Sequence, residues 1–167
     1  IYMRKNPPFC EPIPIKKTGD RIGTTYIPVD PEKIVAIVPC DLPDVTRPLA
    51  PLDDDAIRMG NNLVDFLKNE VKQGRLPENL LPLQSGVGNV ANAVIHGLVE
   101  SQFKNLSVYT EVIQDGMFEL IDKDKIDMIS GTSLSPSPEG LKRFYDNIEK
   151  YNKKIVLRPQ EISNNGE

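Results

Sequence analysis

The chain has 167 residues, of which 39% are hydrophobic and 26% charged, so it can bury one sizeable core but not two complete ones. A formal net charge of −4, with no dense Lys/Arg patch, excludes a nucleic-acid footprint. Its apolar runs are too short to cross a membrane. Cys10 and Cys40 form no CxxC pattern, which predicts reduced thiols, a cytoplasmic setting and neither a disulfide framework nor a metal site. A triad or a histidine-based metal centre would have to recruit the single histidine, His96.

Residues 1–32 are proline-rich, with Pro7, Pro8, Pro12, Pro14, Pro28 and Pro31, and read as an extended segment lying over a surface. The run Lys33-Ile34-Val35-Ala36-Ile37-Val38 predicts a buried parallel strand, followed by a second proline-rich loop from Pro39 to Pro51. Asp53-Asp54-Asp55 supplies cap and first-turn acids for an amphipathic helix whose apolar positions are Ile57, Leu63, Val64, Leu67 and Val71, ending at Gly74. The expected division is therefore residues 1–52, an extended segment with one strand, and residues 53–167, an α/β domain.

From Leu80 onward the pattern alternates. Strands are predicted over 80–85, 106–110, 126–130 and 155–157, and helices over 90–101, 116–122 and 138–150. Asp115 is expected to cap the middle helix. Such alternation predicts an α/β fold: a mostly parallel open sheet with helices on both faces. Asp122 to Asp127 reads as a solvated turn, and Thr132, Ser133 and Ser135 as a polar loop. His96 falls on the helix after residues 86–88 and reads as a partly exposed helix residue.

Gln84-Ser85-Gly86-Val87-Gly88-Asn89-Val90-Ala91 joins a predicted strand to a predicted helix. Two glycines let a ligand approach the main chain, and the helix start offers free N–H groups to a phosphate or a developing oxyanion. The same residues match the dinucleotide fingerprint G-x-G-x-x-A, with acidic Glu111 about twenty positions on. Against that reading, the preceding strand ends in polar Gln84-Ser85, and Glu111 lies in the elaborate Tyr109-Thr110-Glu111-Val112-Ile113-Gln114-Asp115-Gly116. Whatever the ligand, consecutive parallel strands end at one edge, so Gly86 to Gly88 and Glu111 are expected to face a common crevice.

These two stretches, with Leu157-Arg158-Pro159-Gln160-Glu161-Ile162-Ser163-Asn164 and the residues from Arg21-Ile22-Gly23 to Pro31, resemble the acetyl-CoA hydrolase/transferase family of class I CoA-transferases. The resemblance implies a CoA-transferase-like fold and covers only the central part of a family member. It also implies Glu111 as nucleophile, forming an acyl-glutamyl anhydride and then a glutamyl-CoA thioester. Val87 is implied as an oxyanion donor through its backbone N–H, and Gly86, Gly88, Asn89 and Asn164 as substrate- or CoA-binding positions. Coenzyme A would be a substrate, with no permanently bound cofactor and no metal. Small carboxylic acids, acyl-CoA and a second copy of the chain are the implied partners. The beginning Ile-Tyr-Met-Arg-Lys and the ending Ser-Asn-Asn-Gly-Glu are expected to continue into further parts of a longer polypeptide. Two other readings stand beside this one: an isolated domain without turnover, and a nicotinamide- or flavin-dinucleotide-binding domain.

Overall fold

A computed structural model describes residues 13–46 and 51–164. The predictions falling on residues 1–12, 47–50 and 165–167, Cys10 among them, lie outside the described residues. The chain is α/β. Helix α1, Asp54–Lys72, starts where the Asp53 carboxylate accepts the Ala56 N–H at 2.7 Å, the side-chain cap its acidic triplet predicts. Its buried residues are Ala56, Gly60 and Val64, spaced four apart on one stripe. That stripe packs against α2, Asn89–Glu100. The crossing is close because of its glycines: a Cβ on Gly60 would stand 2.5 Å from the Ala93 carbonyl oxygen, and one on Gly97 3.0 Å from a Val64 methyl.

Strands β1, Leu106–Tyr109, β3, Ile126–Gly131, and β5, Ile155–Leu157, form a parallel sheet in the order β1-β3-β5. The connections are α3, Asp115–Asp122, between β1 and β3, and the pair α4, Pro138–Asp146, and α5, Ile148–Asn152, between β3 and β5. Register puts Val108, Ile129 and Ile155 side by side on one face. All three are buried with residues of α2, α3 and α5 in a single apolar core. Tyr109, Ser130 and Val156 share the opposite face. There Arg158 is buried, its guanidinium donating to Ser130 Oγ at 2.7 Å and to the Thr18 carbonyl at 2.8 Å. Burial lowers its pKa, and the two hydrogen bonds hold residues 16–20 against the sheet.

Several predicted elements differ. Residues 34–38 form no strand. A 3-10 turn, Pro31–Lys33, precedes them, and Val35, Ile37 and Val38 are 97%, 83% and 83% exposed. A strand needs a neighbour for its N–H and C=O groups, and no described residue offers this run one. Residues 80–85 contribute a single parallel bridge, Leu83 to Val108, because Leu80 takes a left-handed φ of 58° and Pro82 lacks a donor. The expected helix over 138–150 is two helices. Asn147 breaks it at φ −129°, its Nδ2 donating to the Arg143 carbonyl at 3.0 Å. The break lets Tyr151 turn inward, 5.0 Å from the Phe118 ring and parallel to Phe144.

Candidate active site: a carboxylate where two ladders meet

Two short strands went unpredicted. After β1 the chain passes Thr110 and Glu111 and then forms β2, Val112–Ile113; after β3 it passes Thr132 and forms β4, Ser133–Leu134. β2 and β4 pair in parallel as a second small sheet continuing the first. Glu111 therefore occupies the gap between two ladders. Its backbone is fixed there, because its carbonyl accepts the Thr132 N–H at 2.8 Å and the Ser133 N–H at 3.2 Å. Thr110 N–H still donates to Ser130 at 2.9 Å, so the interruption is confined to the carboxylate-bearing residue. The Glu111 side chain is exposed, and Gln160 Nε2 stands 3.5 Å from its Oε1.

Gly131 keeps the gap narrow. A Cβ on it would stand 2.8 Å from Ile113, a fully buried residue two positions after Glu111. A larger residue here would have to push the buried Ile113 side chain aside.

Thr110 ties the carboxylate to the glycine loop. It is almost wholly buried, and its Oγ1 donates to the Ser85 carbonyl at 2.9 Å, immediately before Gly86. The chain then runs through Gly86 and exposed Val87 to Gly88, the N-cap of α2, whose φ of 138° and ψ of 169° suit glycine alone. No side chain caps α2, which leaves its first N–H groups without intrahelical partners beside the loop. Asn89 is the first residue of that helix and is half-buried. Loop and carboxylate thus share the carboxyl edge of the sheet, as parallel topology requires. The dinucleotide reading needs a strand leading directly into the glycines, and Leu83 alone is paired there.

Asn164 closes α6, Gln160–Ser163, the short helix that delivers Gln160 to Glu111; no contact between the Asn164 side chain and Glu111 is seen. His96 lies exposed on α2. Asp115 is the first residue of α3 rather than its cap, which is Gln114. It accepts instead from the Ser137 N–H at 2.8 Å and from Ser137 Oγ at 2.6 Å, while Ser137 Oγ caps α4 through the Gly140 N–H. Asp115 is thus a brace between two helices, a role its place before an apolar run cannot reveal.

A hollow of about 120 Å³ beside the loop is lined by Ser85, Asn92, His96 and Gln114, among others. A larger one of about 520 Å³ is lined by Gly19, Leu80, Ser107 and Met128, at the amino ends of β1 and β3. It lies at the far ends of the strands from Glu111. Among the described residues no group of three or more His, Cys, Asp or Glu could hold a metal, and no helix is long and apolar enough to cross a membrane. Cys40 is exposed and unpaired.

Over its whole length the chain is 59% identical to the succinyl-CoA:acetate CoA-transferase of Clostridium kluyveri, of which it spans 31%. It is 48% identical, again over its whole length, to the acetyl-CoA hydrolase of Saccharomyces cerevisiae, of which it spans 32%. The chain belongs to the acetyl-CoA hydrolase/transferase family. It spans about a third of the length of these family members. A third relative, the acetyl-CoA hydrolase of Neurospora crassa, is 52% identical over 95% of the chain and is spanned to 30%. No family model matches. Among solved structures, RipA from Yersinia pestis aligns over 74% of the chain and 26% of its own, with a TM-score of 0.57 at 20% identity. The 4-hydroxybutyrate CoA-transferase of Porphyromonas gingivalis aligns over 70% and 28%, with a TM-score of 0.53 at 24% identity. These two likenesses support the fold.

Gln160 and Thr110 were not singled out from sequence. Thr110 had a weak signal, a polar β-branched residue ending an apolar strand. Gln160 had a topological one only: it follows β5, at the same edge as Glu111.

Proposed function

We propose that the full-length protein containing this segment moves CoA between an acyl-CoA and a small carboxylic acid, or hydrolyses the acyl-CoA, with Glu111 as covalent nucleophile. One observation carries the reading: an exposed carboxylate in the gap between two ladders, joined to the glycine loop through Thr110 and Ser85. Family membership and the CoA-transferase and acetyl-CoA hydrolase activities of the relatives support it.

The chemistry suits a carboxylate. A Glu111 oxygen attacks the thioester carbonyl, the C–S bond breaks, and CoA leaves as a thiolate, giving a mixed anhydride. The thiolate attacks the glutamyl carbonyl and expels the acid as its carboxylate, leaving a glutamyl-CoA thioester. An incoming carboxylate reverses both steps and departs as its own CoA ester, with no net proton change. Water attacking an intermediate completes hydrolysis and releases a proton. Each addition puts negative charge on a carbonyl oxygen. A prepositioned N–H, assigned here to Val87, would lower such a barrier by about 3–4 kcal/mol. In this proposal Gly86, Gly88 and Asn89 bring the main chain and the α2 amino end to the acyl group, and Asn164, at the end of α6, contacts substrate or CoA. A homodimer is part of the proposal, as is completion of the crevice by the remaining polypeptide.

The test is peptide mass spectrometry of the full-length protein after incubation with acetyl-CoA. A CoA thioester on the Glu111 peptide, absent in Glu111→Gln together with a loss of at least about a thousandfold in turnover, is expected. No adduct and undiminished activity in the variant would remove the proposal. Activity in the full-length protein, with none in the 167-residue segment, would show that the segment keeps the fold but cannot turn over without the rest of the polypeptide.

A further inference from the structure

We infer that Gln160 is a positioning residue for Glu111, fixing one carboxylate oxygen so that the other faces the thioester. The inference rests on the covalent reading of Glu111 and adds a residue to it. Gln160 Nε2 lies 3.5 Å from Glu111 Oε1, a long contact of the kind that tightens when a substrate fills a site. The amide has to present its NH₂, because its carbonyl oxygen would meet the carboxylate with like partial charge.

What makes the contact more than a surface encounter is the frame that carries it. Pro159, extended at φ −64° and ψ 153°, starts α6, and the buried Ile162 anchors it. Tyr109 Oη donates to the Ile162 carbonyl at 2.9 Å. Tyr109 is the last residue of β1, two positions before Glu111. On the other side Arg158 N–H donates to Gly131 at 2.8 Å, and its guanidinium to Ser130, so β3 holds the approach to α6 as well. The same two strands that pin the Glu111 backbone therefore hold the helix presenting Gln160. Sequence separation is 49 residues, yet both ends of the contact are referred to one rigid edge.

The donor's neutrality suits the proposed reaction. A Lys or Arg in this place would stabilise the resting carboxylate strongly and make it a poorer nucleophile. An amide orients it at lower electrostatic cost to attack, and it can keep donating to the same oxygen when Glu111 becomes an ester-like carbonyl.

Two substitutions at this exposed position separate orientation from packing. Gln160→Met keeps the length and removes the donor. Gln160→Glu keeps the shape and places a second carboxylate against the first. In the full-length protein, the rate of thioester formation on Glu111 and kcat should fall about tenfold in Gln160→Met, and about a hundredfold in Gln160→Glu. KM should stay within about twofold of wild type, and the melting temperature should be unchanged. A role in packing α6 predicts the reverse order, with the isosteric Gln160→Glu closer to wild type; that order, or unchanged rates in both, overturns the inference. Wild-type protein is the control for the underlying reading: if it forms no thioester, the nucleophile assignment fails, whereas a normal wild-type adduct with unaffected variants refutes Gln160 alone.

Discussion

Replacing Gly60 by alanine sets two effects of opposite sign against each other. In a solvent-exposed helix interior the change would stabilise by about 1 kcal/mol, the difference in helix propensity. At Gly60 the added methyl would lie 2.5 Å from the Ala93 carbonyl oxygen, 2.7 Å from its carbon and 3.1 Å from the Val94 nitrogen. All three atoms belong to the backbone of α2, so no side-chain rotation relieves the overlap. Reaching ordinary contact requires α1 and α2 to separate by roughly 1 Å. Ala56 and Val64, on the same buried stripe, would lose part of their packing as the helices part. Overpacking of this kind costs about 1–3 kcal/mol, with the upper end expected where backbone must move. The steric term wins, leaving a net loss of about 1–2 kcal/mol. For a chain of this size that lowers the melting temperature by roughly 3–6 °C. Urea unfolding followed by circular dichroism measures it directly. A Gly60→Ala protein as stable as wild type, or more stable, would show that the crossing is looser than the geometry says and that propensity alone governs this position. Because α2 begins at the glycine loop, the same displacement should also reduce turnover in the full-length protein.

Two further outcomes follow from hydrogen bonds made by buried side chains. Thr110→Val removes the bond to Ser85 while keeping the shape, and should cost about 1–2 kcal/mol of stability. It should also lower kcat of the full-length protein about tenfold as the loop drifts from Glu111; kinetics matching wild type would disconnect the two. Tyr151, fully buried, has its pKa pushed up to about 12, first by burial and then by donating to Asp122 at 2.9 Å. Since the unfolded chain ionises near 10 and the folded one resists, this contribution is fully present below about pH 10 and lost between about 10 and 12. Phenolate absorbance should show one tyrosine titrating well after the others, in step with unfolding; simultaneous titration of all tyrosines in folded protein would contradict it.

Much of the architecture was written locally. The alternation after residue 86 produced α2, β1, α3, β3 and β5 close to their expected bounds, because each element carries its own apolar period and end signals. The meeting of the glycine loop with Glu111 was legible too, since parallel strands joined by helices bring their carboxyl ends to one edge whatever the side chains are. The site's finer parts were not. Glu111 sits in a ladder gap because β2 and β4 resume pairing beyond it, and two-residue strands have no period to read. Gln160 reaches it through a frame set by Tyr109, Arg158 and Ile162, which are far apart along the chain.

Sequence by itself determined the helix and strand alternation from α2 to β5, the parallel sheet and the shared edge, all of which follow from short-range periodicity and chain connectivity. Only tertiary structure decided that residues 34–38 find no strand partner among the described residues, that Asp115 braces α4 rather than capping α3, and that Gly60 must be small. Each of those depends on what stands opposite. Propensity is a property of a residue and its neighbours in the chain, whereas pairing, bracing and close approach belong to two surfaces that only folding brings together.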